Sequence, residues 1–221
     1  MTDLDRVYDT RFDAASRERK LAMWAEIVAY LQRYVVRDAP VLDIACDEGY
    51  FIRHVSANER WASDIRDLSG SLPSDVRFVQ ADGLKLAAAV PVGHFGTAFM
   101  SNYLEHLKSP DEVVEQLRVA YDLLRPGGRL IVLQPNIRLT GPAYWDFIDH
   151  KVALTERSLV EAAGLAGFGT VALRTRFLPY TTKGRLPMSR RLVRLYLAFP
   201  PAWWLLGRQT LYVGERAASP A

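Results

Sequence analysis

Cysteine is almost absent from this chain: Cys46 is the one such residue in 221. That excludes an internal disulfide and metal clusters built on thiolates. No run of about eighteen uncharged apolar residues occurs, so no membrane-spanning helix is expected. The segment MTDLDRVYDTRFD is polar and acidic from its third residue, unlike a secretory leader or a mitochondrial transit segment. A reducing cytoplasm is the expected setting. Internal repeats and low-complexity tracts are missing too. Acid is scarce in one region only, because residues 172–221 carry nine Lys and Arg against the single Glu215. Their formal charge is +8, which leaves −5 on residues 1–171 when the whole chain is +3. This asymmetry concerns partners and not the fold.

What remains describes one globular domain. Nearly half the residues are apolar (49%), and the length is enough for one sizeable core. Residues 18–36 place Leu21, Trp24, Ala25, Ile27, Val28 and Leu31 at helical spacing. A second helix is predicted over Asp111 to Leu124, started near Ser109-Pro110 and stopped by Pro126-Gly127, and a third over Thr155 to Ala166, with Thr155 as N-cap and Gly167 at its end. Short apolar runs at Val41–Ile44, Val76–Ala81, Phe95–Met100 and Leu130–Leu133 read as strands between these helices. Such alternation implies a doubly wound, mainly parallel sheet flanked by helices, an α/β architecture. The expected organisation is an N-terminal cap and helix (1–37), a core (38–171) and a basic, aromatic elaboration (172–221) that completes the same domain with a last strand at Gln209 to Gly214.

The most informative stretch is VLDIACDEGYF, Val41 to Phe51. It reads as a buried strand, a tight turn and a helix start, where free backbone N–H groups favour an anionic group of a nucleotide-like ligand. Ala45 and Gly49 let the backbone approach that ligand closely. About twenty residues beyond Asp43, Asp64 stands where an acid takes a ribose diol in dinucleotide folds. The Gly-x-Gly-x-x-Gly pattern of hydride-transferring oxidoreductases does not fit this turn.

With these residues the chain resembles the class I S-adenosylmethionine-dependent methyltransferases, whose first motif, acid-x-Gly-x-Gly-x-Gly, aligns with Asp43, Ala45, Asp47 and Gly49. Ala45-Cys46 matches a common variant. Asp47 replaces the middle glycine and adds bulk and negative charge beside the expected cofactor, although Asp tolerates a left-handed backbone better than most residues. The resemblance continues in chain order through Asp82-Gly83-Leu84, through Ser101 and Asn102 in SNYLEHL, and through LLRPGGRLIV, covering roughly residues 38–171. It implies a Rossmann-like methyltransferase fold with S-adenosylmethionine as cofactor, held by Asp43, Ala45, Cys46, Asp47, Gly49, Asp64, Ile65, Asp82, Gly83, Ser101 and Asn102. The implied activity is methyl transfer to an oxygen, or a nitrogen, of a small molecule.

Such transfer is an in-line displacement in which the protein chiefly aligns donor and acceptor. A hydroxyl acceptor also needs a base, and His106 and His150 follow the fourth and fifth strands, at the edge where open parallel sheets bind ligands. Each has an acidic sequence neighbour, Glu105 or Asp149. The connection carrying His150 is long and rich in Tyr144, Trp145 and Phe147, as functional loops are. His54, in the helix after the first motif, and His94, in a turn, have no such placement. Asp146, Asp149 and His150 are ligand-rich but lack a set spacing, and no metal site is read. Tyr8, Arg11, Phe12, Arg19 and Trp24 resemble the cap that small-molecule methyltransferases fold over the cofactor.

The segment SRRLVRLYLAFPPAWWLLG joins Arg190, Arg191 and Arg194 to clustered Leu, Tyr and Trp. It packs on the sheet, or offers a peripheral contact to an anionic inner membrane face, or grips a phosphate-bearing or lipid-linked acceptor such as an activated sugar. FLPYTTKGRLP, Phe177 to Pro187, has the look of a subfamily signature. No nucleic-acid motif accompanies the basic residues, and oligomeric state is not legible. Two alternatives stay open: a non-catalytic scaffold on the same fold, and an enzyme using the S-adenosylmethionine site for another reaction.

Overall fold

The computed structural model describes residues 14–180 and 189–218. Tyr8, Arg11, Phe12 and the Thr181–Pro187 half of the tail signature lie outside them. Seven strands form one sheet: β1 (Val41–Ile44), β2 (Arg60–Asp64), β3 (Val76–Gln80), β4 (Phe95–Ser101), β5 (Leu124–Pro135), β6 (Gly169–Arg174) and β7 (Gln209–Glu215). Their order is β3-β2-β1-β4-β5-β7-β6. The first five are parallel, and β7 runs antiparallel to both β5 and β6.

Period-two alternation divides the strands between two cores. Leu42, Ile44, Leu130 and Val132 face one core, together with Val113, Leu117 and Ala120 of helix α2 (Pro110–Leu123) and Leu159 and Ala163 of the later helix Glu156–Leu165. Val41, Ile131 and Leu133 face the other, with Ile27, Val28 and Leu31 of α1 (Ala14–Leu31). Each fully buried Leu or Ile contributes about 2 kcal/mol relative to exposure. Helix starts follow their caps: Ser109 Oγ accepts from Glu112 N, and Thr155 and Ser158 form a reciprocal capping box.

Four expectations need correction. No helix follows β1; residues 47–54 form hydrogen-bonded turns instead, because Gly49 at φ 69° interrupts the helical path that His54 was expected to join. The Arg125-Pro126-Gly127-Gly128 turn is absorbed into β5, with a register shift against β4 and Gly127 N donating to Arg216 O. The connection carrying His150 is not an open loop. It folds as α3 (Ile137–Thr140) and a 3-10 helix (Gly141–Asp146) before α4 (Glu156–Leu165), and Tyr144 is fully buried. Finally, α1 ends at Leu31, with a 3-10 turn (Gln32–Tyr34) after it.

The tail adds α5 (Arg190–Ala198) and α6 (Pro200–Leu206) over the second core. Arg190 and Arg194 converge on Glu26 of α1: Nε of Arg190 lies 2.5 Å from Oε1, and Arg194 reaches both oxygens at 2.8 Å. Two of the three arginines singled out in this segment thus clamp α5 to α1. No helix among the described residues is long and apolar enough to cross a membrane.

Candidate functional site

A cavity of ≈ 1790 Å³ opens where the carboxyl ends of β1 and β4 diverge. Strand order reverses at this point, the general ligand position of doubly wound sheets. Every sequence-predicted site residue lines it except Gly49. The turn after β1 shows why the motif spacing matters: Ala45, Asp47 and Gly49 have φ of 55°, 49° and 69°. Alternate left-handed residues are what the glycines of the motif supply. A Cβ on Gly49 would sit 2.4 Å from a methyl of Leu72, so a side chain here would have to displace Leu72 as well as adopt a left-handed backbone.

Asp47, the departure from the motif, is not left as a bare charge. Arg66, two residues past β2, places Nη2 2.8 Å from Asp47 Oδ1, and Nε 3.1 Å from Asp64 Oδ1. Asp64 also accepts from the backbone N–H of Asp47 at 3.1 Å and of Arg66 at 3.0 Å. One guanidinium therefore bridges both carboxylates, and this residue was missed in the sequence. Its signal was an Arg two positions after the ribose-type acid, in a chain whose motif carries an extra acid.

Asp43 is buried and accepts from Ile52 N at 3.3 Å, tying down the turn; burial pushes its carboxyl well above the usual range. Burial, with Asp43, Asp64 and Asp47 around it, also pushes the Cys46 thiol up, so it stays protonated and inert. Asp82 caps a 3-10 helix (Gly83–Ala88), its Oδ1 accepting from Leu84 N at 3.0 Å. A side chain at Gly83 would meet Tyr103 Oη at 2.4 Å. Asn102 turns out of β4 at φ 48° and donates from Nδ2 to Ser101 Oγ. Ile65, 70% exposed, stands at the cavity wall beside Asp64. Trp24 of α1 stacks on Tyr50 and meets Phe99 edge-on, forming an aromatic wall.

The far end of the cavity holds both histidines. Their rings meet at 5.0 Å, and His150 stacks on Phe147. Two acids approach His106: Asp149, the sequence neighbour of His150, with its carbonyl oxygen 3.1 Å and Oδ2 3.5 Å from Nδ1, and Glu105, with Oε1 4.0 Å from Nε2. Glu105, 1% exposed, accepts from Gln134 Nε2 at 3.1 Å, and burial raises its carboxyl above the usual range. Backbone N–H groups of Lys151 and Val152 both donate to Glu105 O, fixing the His150 segment against the 3-10 turn Leu104–His106. His54 is exposed and His94 pairs with Glu59 at 3.4 Å, both away from the cavity lining. Leu192 and Leu195 of α5, Phe199 between the two helices and Leu206 of α6 border the opening.

A seven-stranded doubly wound sheet with a nucleotide-type turn, an acid after β2 and an aromatic wall defines a class I methyltransferase architecture. Comparison agrees: residues 15–173 match the family model described as "Methyltransferase domain", and the chain belongs to that family, within the S-adenosylmethionine-dependent methyltransferases. No curated protein sequence matches it. Similar solved structures include a SAM-dependent methyltransferase from Archaeoglobus fulgidus (16% identity, TM-score 0.62, 86% of this chain and 93% of that one). The N-methyltransferase NodS from Bradyrhizobium japonicum, in complex with S-adenosylhomocysteine, is similar at 11% identity and TM-score 0.60 (95% and 91%). The [4+2]-cyclase SpnF is as near, at 17% identity and TM-score 0.61 (88% and 81%). At these identities the likeness concerns fold alone.

Proposed function

We propose that the chain transfers the methyl group of S-adenosylmethionine to an oxygen, or a nitrogen, of a small molecule with an apolar body. The observation that carries this reading is the single cavity joining the motif turn to the His106–His150 corner. Its volume exceeds the roughly 300–1,000 Å³ of single-ligand sites, which leaves room for cofactor and acceptor together. Asp64 and Ile65 take the ribose and adenine, Asp82 and Leu84 read the adenine edge, and the aromatic wall of Trp24 and Tyr50 faces the sulfonium end. His106 and His150 activate the acceptor oxygen. The acceptor's apolar part lies under α5 and α6, where the cavity-lining Leu192, Leu195, Phe199 and Leu206 are each more than a third exposed. Arg190 and Arg194 are committed to Glu26, so a lipid-like body is favoured over a phosphate gripped by these two. Trp204 and Leu205, each more than 60% exposed beside this opening, support peripheral docking of the face on a bilayer from the cytoplasmic side.

The test is transfer of labelled methyl to hydroxylated apolar acceptors, with S-adenosylhomocysteine affinity measured in parallel. His106→Ala and His150→Ala should abolish turnover and keep cofactor affinity; full turnover in both variants rejects the assignment. One observation favours a second reading, a binding module without turnover or a different reaction in the same pocket: Arg66 already occupies Asp64. In that case Asp47→Gly tightens cofactor binding and no acceptor is methylated.

A further inference from the structure

We infer that Glu105, His106 and His150 form a binding site for one divalent cation of the imidazole-accepting kind, Zn²⁺ or Mn²⁺ rather than Mg²⁺. The inference rests on the reading that this corner faces the acceptor oxygen. One ligand atom from each residue lies within 4.8 Å of the others. Metal–ligand bonds of about 2.1 Å allow at most about 4.2 Å between donor atoms, so small side-chain rotations close the set. All three side chains line the cavity.

The surrounding bonds fix the orientation that such a site requires. The Nδ1 edge of His106 faces Asp149, at both its carbonyl and its carboxylate. A metal-bound imidazole characteristically gives its second nitrogen to such a partner, which fixes the tautomer and aims the other nitrogen at the ion. Here that other nitrogen, Nε2, points at Glu105 Oε1 across 4.0 Å. The gap is too long for a hydrogen bond and suited to an ion between the two. Gln134 holds the other carboxylate oxygen, Oε2, at 3.1 Å. A carboxylate this deeply buried calls for a cation or strong donors, and Gln134 supplies one amide. The backbone bonds from Lys151 and Val152 to Glu105 O make the corner rigid. Two nitrogens and one carboxylate oxygen form a donor set for borderline ions, whereas Mg²⁺ and Ca²⁺ prefer oxygen throughout.

Such an ion leaves coordination positions open toward the cavity. An acceptor hydroxyl bound there is acidified and loses its proton to water. The resulting oxygen attacks the methyl carbon: the O–CH₃ bond forms as the S⁺–CH₃ bond breaks, the electron pair returns to sulfur, and S-adenosylhomocysteine leaves neutral at that atom. The imidazoles then hold the ion instead of taking the proton themselves.

The experiment uses the full chain, stripped with chelator and titrated with Mn²⁺ by electron paramagnetic resonance, with Zn²⁺ as competitor. The expected result is one equivalent of Mn²⁺, displaced by Zn²⁺ and not by equal Mg²⁺. His106→Gln and Glu105→Gln should each weaken binding at least 100-fold, and Asp149→Asn by about 10–100-fold. S-adenosylhomocysteine affinity, measured on every variant, reports that it is folded and should not change on metal removal. If Glu105→Gln fails to fold, His150→Gln replaces it, its ring being held by stacking in a connecting segment. No stoichiometric binding with or without S-adenosylhomocysteine overturns the inference, as does equal affinity in the His106 and His150 variants. Loss of cofactor binding in the wild-type chain would instead refute the methyltransferase reading, so the two failures are separable.

Discussion

Replacing Glu26 by Gln tests whether α5 is held to α1 by charge. Glu26 is buried (7% exposed), and the Arg194 and Arg190 guanidinium groups hold its carboxyl down to about 2, from an ordinary 4.5. Unscreened, a displacement of that size is worth about 3 kcal/mol. The arginine side chains are 59% and 67% exposed, so solvent screening reduces it to about 1 kcal/mol. The sign follows from linkage: a carboxyl with a depressed folded value stabilises the native state above the unfolded value and loses that contribution as pH falls from 4.5 toward 2. Urea unfolding of wild type and Glu26→Gln should therefore differ by about 1 kcal/mol at pH 7, with a smaller difference at pH 3.5. Because α5 borders the cavity, the variant should also raise acceptor KM more than it changes cofactor affinity. An equal difference at both pH values, or none at pH 7, would refute the clamp.

Three further substitutions have defined outcomes. Gly83→Ala drives a Cβ against Tyr103 Oη and Gln116 Oε1 and should lower stability by about 1–3 kcal/mol, seen as a lower thermal midpoint; an unchanged midpoint contradicts the packing. Ala45→Gly relieves a left-handed alanine at φ 55° and should raise stability by up to about 1 kcal/mol in chemical denaturation, whereas a loss would mean that the turn is not strained there. Arg66→Met should weaken S-adenosylhomocysteine binding about tenfold in the wild-type background and much less alongside Asp47→Gly. Equal effects in both backgrounds, by calorimetry, would show that Arg66 does not serve to neutralise Asp47.

Local signals made most of the fold legible. Apolar runs marked β1, β3, β4, β5 and β7, and Ser109 and Thr155 marked helix starts through hydrogen bonds that span three residues. β2 and β6 gave weaker signals: Arg60–Asp64 mixes charge with small residues, and Gly169–Arg174 is a largely exposed edge strand. The helix expected after β1 failed because Gly49 serves the turn at the expense of helix propagation. Within the site, the positions of the left-handed residues followed from motif spacing. The pairings that decide its electrostatics did not, since Arg66 meets Asp47 across 19 residues and Arg190 meets Glu26 across 164. Sequence adjacency also gave no sign that Asp149 reaches His106, 43 residues away, because the β5–α4 connection folds back against the turn after β4.

The most direct measurement is calorimetric titration of the full chain with S-adenosylmethionine and S-adenosylhomocysteine, with NAD as control, repeated on Asp64→Ala. Micromolar binding of the first two, absent for NAD and lost in the variant, is the predicted result. Absence of binding to either sulfur compound, or binding that survives Asp64→Ala unchanged, would contradict the placement of the cofactor in this cavity.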